Sequence, residues 1–483
     1  MKQTMFKTSF YCLIACCWVS TEVFAQDTLR VMTYNLLGYP SSSSVSAKNA
    51  NLAPIIAYLQ PDILAVQEME TDVASNPASL LNGALNVDGV TSYAAANFTY
   101  TATANIGNML YYNSQKLALQ AQYAIPFASV REMNHYRLYY LSPNLAQTHD
   151  TIFINIFAMH LKSSSSNADE ITRQLMAATL MNYLDNTPSA QINAIVLGDS
   201  NIYSPSEEAY QTFTNYTDNP SISFTDPLAA LGFSAWHDNS AFAPYFTQST
   251  RNSSLSDGGA TGGMDDRFDL ILHAPAISNG AERVEIVSNS YRAIGQDGLR
   301  HNQNLINPTN NSAPSNIINA LYAMSDHLPV IVDVSVQYLA AITPKQSQSI
   351  CMGDTAWLYA HTSAGSSYQW LHNDIPITGA TDTVWAATQS GSYTVAVTQN
   401  GNTFISTPVL VNVLPQPQPI IMGTTTVCSQ IAHTYSISPT PGHQYDWTIS
   451  ANGTITSGQN TASITVIWSG GGIGTVSVIE TAF

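Results

Sequence analysis

A change of pattern near Gln337 constrains this chain more than any other feature of its sequence. Before it, apolar segments of strand length alternate with segments of helical period. After it, helical period vanishes and short strands remain, rich in Thr, Ser, Val and Gly. Alternation implies sheets covered by helices, whereas strands punctuated by turn residues imply sandwiches. The 483 residues, 45% of them hydrophobic, therefore read as an α/β domain over 26–337 followed by two all-β modules.

Within 26–337, Asp27–Asn35 alternates as a strand, with Leu29, Val31 and Thr33 on one face. Asn51–Leu59 reads as a helix that stops before Pro61. Ile63–Gln67, Asn108–Tyr112, Thr151–His160, Ile192–Leu197, Phe268–Leu272 and Val330–Val336 are apolar strands. From Asp169 onward Ile171, Leu175, Ala178 and Met181 recur at helical spacing. Ser41–Ser44, Ser163–Ser166 and Asp257–Gly263 are loops.

The N-terminus carries Lys2 and Lys7, an apolar run from Phe10 to Val19, and Val23-Phe24-Ala25. This is a secretory signal over 1–25, with cleavage expected after Ala25. The alternative is a lipobox, Leu13-Ile14-Ala15-Cys16, which would anchor the protein through Cys16. The run is too short to span a bilayer, and no transmembrane segment follows it. Cleavage at Ala25 leaves Cys351 and Cys428, too few for a disulfide scaffold. Both are expected to be free and buried, with a disulfide between the two modules as the alternative. The net charge of −17 lies mostly within 26–337. It argues against a basic nucleic-acid scaffold, and a phosphate substrate there would need positive charge from metal ions.

Polar residues stand at the ends of otherwise apolar strands: Asn35, Glu68, His160, Asp199, Asp269 and the pair Asp326-His327. Such places fix a side chain while leaving it open to substrate. Asn35 and Glu68 offer hard oxygen ligands that suit Mg²⁺ or Ca²⁺. His160 and His327, with an acidic partner, offer acid–base capacity. A cation on the phosphate, a base for water and an acid for the leaving oxygen make up metal-assisted phosphoester hydrolysis. Lys162 and Arg173 read either as phosphate contacts or as solvated cations, and Arg131 either lines the cleft or forms a surface ion pair. Asp257, Asp265 and Asp266 read as solvated loop carboxylates or as a structural Ca²⁺ site.

The order of Leu29-Arg30-Val31-Met32-Thr33-Tyr34-Asn35, Pro61-Asp62-Ile63-Leu64-Ala65-Val66-Gln67-Glu68, His160-Leu161-Lys162, Gly198-Asp199-Ser200-Asn201, Arg267-Phe268-Asp269 and Ser325-Asp326-His327-Leu328-Pro329-Val330 resembles the endonuclease/exonuclease/phosphatase (deoxyribonuclease-I-like) superfamily. The resemblance implies a four-layer α/β-sandwich with its site at one end of two packed sheets. It also implies roles. Glu68, with Asn35 and Asp326, holds the metal, taken as Mg²⁺ with Mn²⁺ or Ca²⁺ as substitute or addition. His327, oriented by Asp269, is the general base or a phosphate contact, and His160 stabilises charge or assists the leaving group. Asp199 positions the water and Asn201 binds the phosphoryl oxygen. Lys162, Arg131 and Arg173 are the substrate-binding candidates. Leu37 stands where some members carry a further acidic ligand, which speaks against a second tightly bound metal.

After Gln337, Cys351 and Cys428, Tyr368 and Tyr445, and Trp370 and Trp447 are each 77 positions apart, the mark of two related units. They are placed at 345–413 and 420–483, the second read either as short or as cut short. Each is expected to pack a buried Trp against its Cys. They resemble Ig-like and PKD-type modules of secreted bacterial proteins and read as spacers or as adhesive parts touching surface glycan or the cell envelope. The whole is expected to be an exported, monomeric, metal-dependent phosphodiesterase, most simply a nonspecific endonuclease acting on extracellular nucleic acid. The alternatives are a sphingomyelinase-type or inositol- or sugar-phosphate phosphoesterase with the same site, and a non-catalytic adhesin.

Overall fold

The computed structural model describes residues 24–481 except 128–129, 143–144, 146–150, 233–234, 340, 345, 362–366 and 400–401. The N-terminal run with Cys12, Cys16 and Cys17 lies outside the described residues. The chain divides into two compact units, Met1–Leu339 and Ala340–Phe483.

In the first unit, strand β1 (Phe24–Tyr39) runs parallel to β2 (Ile63–Glu70) and antiparallel to β12 (Val330–Leu339). A parallel pair needs a crossover, and the helix Val45–Leu59 supplies it. That helix begins at Val45 rather than Asn51 because the Ser44 hydroxyl caps it, accepting from the backbone N–H of Ala47. Strands β3 (Tyr93–Ala95) and β4 (Ile106–Asn113) extend the sheet past β2; β10 (Val284–Ile286) and β11 (Arg292–Ala293) pair with β12. A second sheet has the order β5 (Leu117–Ile125), β6 (Met133–Tyr140), β7 (Phe153–His160), β8 (Ala194–Asp199), β9 (Asp269–His273).

The two sheets pack face to face, β1, β2 and β12 lying against β7, β8 and β9. Leu29, Val31 and Thr33 are buried as expected, but so are Met32 and Tyr34 on the opposite face. A strand buried on both sides belongs to an inner layer. The helices Val45–Leu59 and Ser315–Met324 pack together in one outer layer, and Asn167–Asp185 packs with Glu208–Thr214 in the other. This is the four-layer α/β-sandwich.

The helix Asn167–Asp185 forms where its period indicates. Met176, Ala177, Leu180, Met181 and Leu184 face the core, whereas Ile171 and Leu175 are exposed. Arg173 takes an inward position among them, held by a carboxylate described below.

The second unit is all-β. Its first module pairs Ala341–Thr343, Ala356–His361 and Val384–Ala387 in one sheet and centres a second on Ser367–His372 and Gly391–Gln399. Trp370 is buried in its core, with the indole N–H donating to the Asp382 carbonyl. The second module buries Trp447 beside Trp468 and Tyr435, and the Trp447 N–H donates to the Thr461 carbonyl. Cys351 and Cys428 are free but exposed, which corrects the expectation of buried thiols packed against each Trp. Among the described residues no helix is long and apolar enough to cross a membrane.

Candidate active site

Strand register assembles the polar strand ends into one group. In the second sheet His160 on β7 is paired with Asp199 on β8, which is paired in turn with Asp269 on β9. In the first sheet Asn35 on β1 is level with Gln67 on β2, which sets it beside Glu68. The pairing of β2 with β4 slips between Val66 and Met69, and Glu68 within this bulge has φ +63°. A bulge re-aims a side chain, and a left-handed non-glycine residue costs about 1 kcal/mol or more. Here the distortion turns the Glu68 carboxylate towards the ends of the second sheet.

Asp199 Oδ2 is the hub. The Asn35 amide nitrogen donates to it at 2.9 Å, His160 Nε2 lies 3.4 Å away and His327 Nε2 3.7 Å away. The same Asn35 nitrogen donates to Glu68 Oε1 at 2.9 Å, and His160 Nε2 is 4.0 Å from that oxygen. Asp199 Oδ1 accepts from the backbone N–H of Asn201, a residue held at φ +51°. His327 Nδ1 is 2.7 Å from Asp269 Oδ2. Gly198 precedes Asp199 because nothing larger fits: at φ +136° a Cβ would stand 1.9 Å from the Met159 carbonyl oxygen.

These neighbours polarise one another. Burial pushes Asp199 up to about 7; the His327 charge opposes this and Asp269 adds to it. Burial pulls His327 down, but the carboxylates of Asp269, Asp199 and Asp326 prevail and hold it well above its usual value. His160 is held well below its usual value by burial and by the charges of Arg131 and His327. One imidazole therefore favours the charged form and the other the neutral form, only a carboxylate apart.

Glu68, His160 and Asp199 offer ligand atoms that lie within 4.8 Å of one another, a set able to hold a metal ion. Two carboxylates and an imidazole fit a divalent cation that accepts oxygen and nitrogen. A buried His160 Nδ1 and a buried Asp269 Oδ1 lack hydrogen-bond partners among the described residues, so the polar demand of the site exceeds what these side chains supply. Two expected ligands are placed differently. The Asn35 oxygen accepts from the Leu37 N–H, so the side chain meets Glu68 and Asp199 with its nitrogen, a donor that ties the carboxylates together. Asp326 lies outside the cluster: its Oδ2 accepts from the Ala260 N–H at 2.7 Å and from Gln248 at 3.3 Å.

The basic candidates separate. Arg131 has a buried Nη1 without a hydrogen-bond partner among the described residues, and the charges of Glu68 and Asp199 reach it. Among the described residues it is not half of a surface ion pair; its charge is turned to the carboxylates of the cluster. Arg173, expected to meet phosphate or solvent, does neither. It is fully buried, with Nε 2.9 Å and Nη2 2.8 Å from Glu207 Oε2, and Nη1 on the carbonyls of Lys162 and Ser164. A buried guanidinium requires such a partner, and it props the loop that follows His160. Lys162 is paired with Asp169 at 3.0 Å.

Two features escape sequence reasoning. The Gln248 amide nitrogen is 2.6 Å from His327 Nε2, yet Gln248 lies in no apolar strand and carries no charge to mark it. His237 is the other: it joins Asp265 and Asp266, two of the carboxylates read as a structural Ca²⁺ site, in a second cluster able to hold a metal, with His237 Nδ1 2.6 Å from Asp266 Oδ1. Asp266 is buried, not a solvated loop carboxylate, and Asp257 stands apart in an ion pair with Arg251 at 2.8 Å.

The Endonuclease/Exonuclease/phosphatase family model matches residues 32–327, and the PKD-like domain model matches residues 414–482. Comparison with curated proteins gives no match. Among solved structures, truncated Caenorhabditis elegans TDP2 is 13% identical over 64% of this chain and 97% of that one, with a TM-score of 0.39. The 3'-5' exonuclease NExo from Neisseria meningitidis is 17% identical over 63% and 98%, at 0.37. The Xenopus laevis APE2 catalytic domain is 11% identical over 65% and 94%, at 0.39.

Proposed function

The chain belongs to the Endonuclease/Exonuclease/phosphatase family, and we propose that this metal-dependent phosphodiester hydrolase is an exported, nonspecific endonuclease using Mg²⁺, with Mn²⁺ or Ca²⁺ as substitute. The observation that carries the reading is the convergence on Asp199 Oδ2 of Asn35, His160 and His327, with Glu68 beside them. A divalent cation held by Glu68, with Asp199 and His160 at hand, would supply positive charge to a phosphoryl oxygen.

The remaining work falls to the side chains. The raised affinity of His327 for its proton suits a contact to the phosphoryl oxygen, and Asp269 sustains that charge. Asp199, pushed up to about 7, is suited to orient water and accept its proton near neutral pH. His160, kept neutral, donates a hydrogen bond towards the leaving oxygen. Asn201, anchored through its backbone to Asp199, contacts a second phosphoryl oxygen.

Charge favours a diester over a monoester. Arg131 faces the cluster, whereas Lys162 and Arg173 are committed to Asp169 and Glu207. One guanidinium matches the single negative charge of a diester better than the double charge of a monoester or the many charges of an inositol phosphate. Export rests on the N-terminal signal pattern, and the all-β modules are read as spacers or adhesive parts at a cell surface.

Incubation of the chain with supercoiled plasmid and Mg²⁺ tests the proposal. Nicking abolished by EDTA and by His327→Ala is expected. Intact plasmid together with cleaved sphingomyelin vesicles would replace the endonuclease by a lipid phosphodiesterase. Release of phosphate from inositol phosphates alone would make it a phosphatase.

A further inference from the structure

Lys48 lies in the first turn of the helix Val45–Leu59, belongs to none of the motifs, and is 2% exposed. Its ammonium donates to three backbone carbonyls: Leu36 at 2.7 Å, Leu37 at 3.0 Å and Met324 at 2.7 Å. Leu36 and Leu37 directly follow Asn35, and Met324 directly precedes Ser325-Asp326-His327. One buried cation thus joins the segments that carry the first and last polar groups of the site. An ammonium has three donors, and all three are used within the fold.

The turn it grips is unusual. Leu37 has φ +52° and Gly38 φ +55°; glycine takes this conformation freely, but leucine does so only at a cost of about 1 kcal/mol or more. In this conformation two successive N–H groups point into the site. Leu37 N–H donates to the Asn35 oxygen at 3.0 Å, and Gly38 N–H donates to Glu68 Oε2 at 2.9 Å. The carbonyl sides of the same turn face Lys48. Ser42 adds a hydroxyl donor to the Leu37 carbonyl, and Ser325 Oγ donates to the Asn35 carbonyl at 2.7 Å.

We propose that Lys48 is a positioning residue for the metal site: by holding the Leu36–Leu37 carbonyls against Met324 it keeps the Leu37–Gly38 turn left-handed, so that the turn's N–H groups orient the Glu68 carboxylate and the Asn35 amide. Groups behind metal ligands that fix their orientation commonly matter as much as the ligands. Burial lowers the Lys48 pKa to about 8, so the ammonium is retained at a cost, consistent with work that a neutral side chain would not do.

The inference rests on Glu68 as a metal ligand, and direct Mn²⁺ titration of the full chain by electron paramagnetic resonance separates the two. Absence of Mn²⁺ binding in the wild type would remove the metal reading itself. With the wild type binding, Lys48→Met is expected to weaken affinity on the order of ten-fold or more. Leu37→Gly in the Lys48→Met background should then recover several-fold of the loss, because glycine needs no clamp to stay left-handed. Wild-type affinity in folded Lys48→Met, or weakened affinity that Leu37→Gly leaves unchanged, would reduce Lys48 to a filler of the core and overturn the inference. Should Lys48→Met not fold, Lys48→Gln takes its place, and wild-type affinity in that variant would overturn the inference equally.

Discussion

His327 Nδ1 lies 2.7 Å from Asp269 Oδ2, with both side chains buried. This contact places a proton on Nδ1, turns Nε2 towards Asp199 and sustains positive charge on the ring. Asp269→Asn keeps the size of the partner but removes its charge. A fall in kcat on the order of a thousandfold is expected, with KM changed little. Steady-state kinetics on a chromogenic diester gives the answer, and a change confined to KM would contradict the assignment.

Arg131 and Lys162 should respond differently. Arg131→Met removes the guanidinium beside Glu68 and Asp199 and should lower kcat/KM by about a hundredfold. Lys162→Met breaks the partly exposed pair with Asp169 and an exposed bond to the Ser163 carbonyl and should stay within about threefold of wild type, such pairs contributing about 1 kcal/mol or less. Equal losses in both variants would show that substrate approaches from the Lys162 side as well.

Gly198→Ala should unfold or severely weaken the first unit. The added Cβ would meet the Met159 carbonyl oxygen at 1.9 Å, and the backbone there has φ +136°. Met159 and Gly198 are register partners immediately before His160 and Asp199, so relief requires β7 and β8 to part. A loss of about 3 kcal/mol or more is expected in chemical denaturation. A loss under 1 kcal/mol would contradict this close approach.

His135 makes stability depend on pH away from the site. Its ring stacks on Phe157 at 4.5 Å, between Asn155 and Tyr183, and burial lowers its pKa from 6.5 to about 4. Between these values the unfolded chain binds a proton that the folded chain does not. Its contribution is therefore whole above pH 6.5, is lost as pH falls towards 4 and changes no further below that. The full span amounts to about 3 kcal/mol. The difference in unfolding free energy between wild type and His135→Gln should narrow across this window; a constant difference would refute the assignment.

The site was legible in the sequence to the extent that strands deliver it. Glu68, His160, Asp199, Asp269 and His327 each end or adjoin an apolar strand; register aligns His160, Asp199 and Asp269, and the packing of the two sheets brings Glu68 and His327 to them. What could not be read depends on partners remote in sequence. Arg173 is buried because Glu207 meets it from the start of the neighbouring helix, so it leaves the list of phosphate contacts. The Asn35 amide faces the carboxylates with nitrogen because the Leu37 N–H occupies its oxygen, a detail of a left-handed turn. Gln248 and Lys48 reach the site from segments without periodic signal. Cys351 and Cys428 are exposed and stand outside the cores that bury Trp370 and Trp447.

Hydrolysis of bis(p-nitrophenyl) phosphate by the full chain tests the central claim most directly, with Mg²⁺ or Mn²⁺ present, after EDTA, and in Glu68→Gln. Turnover that requires the metal and falls at least a hundredfold in Glu68→Gln is the expected result. Turnover that survives EDTA, or a Glu68→Gln enzyme as active as wild type, would contradict metal-dependent chemistry at this cluster.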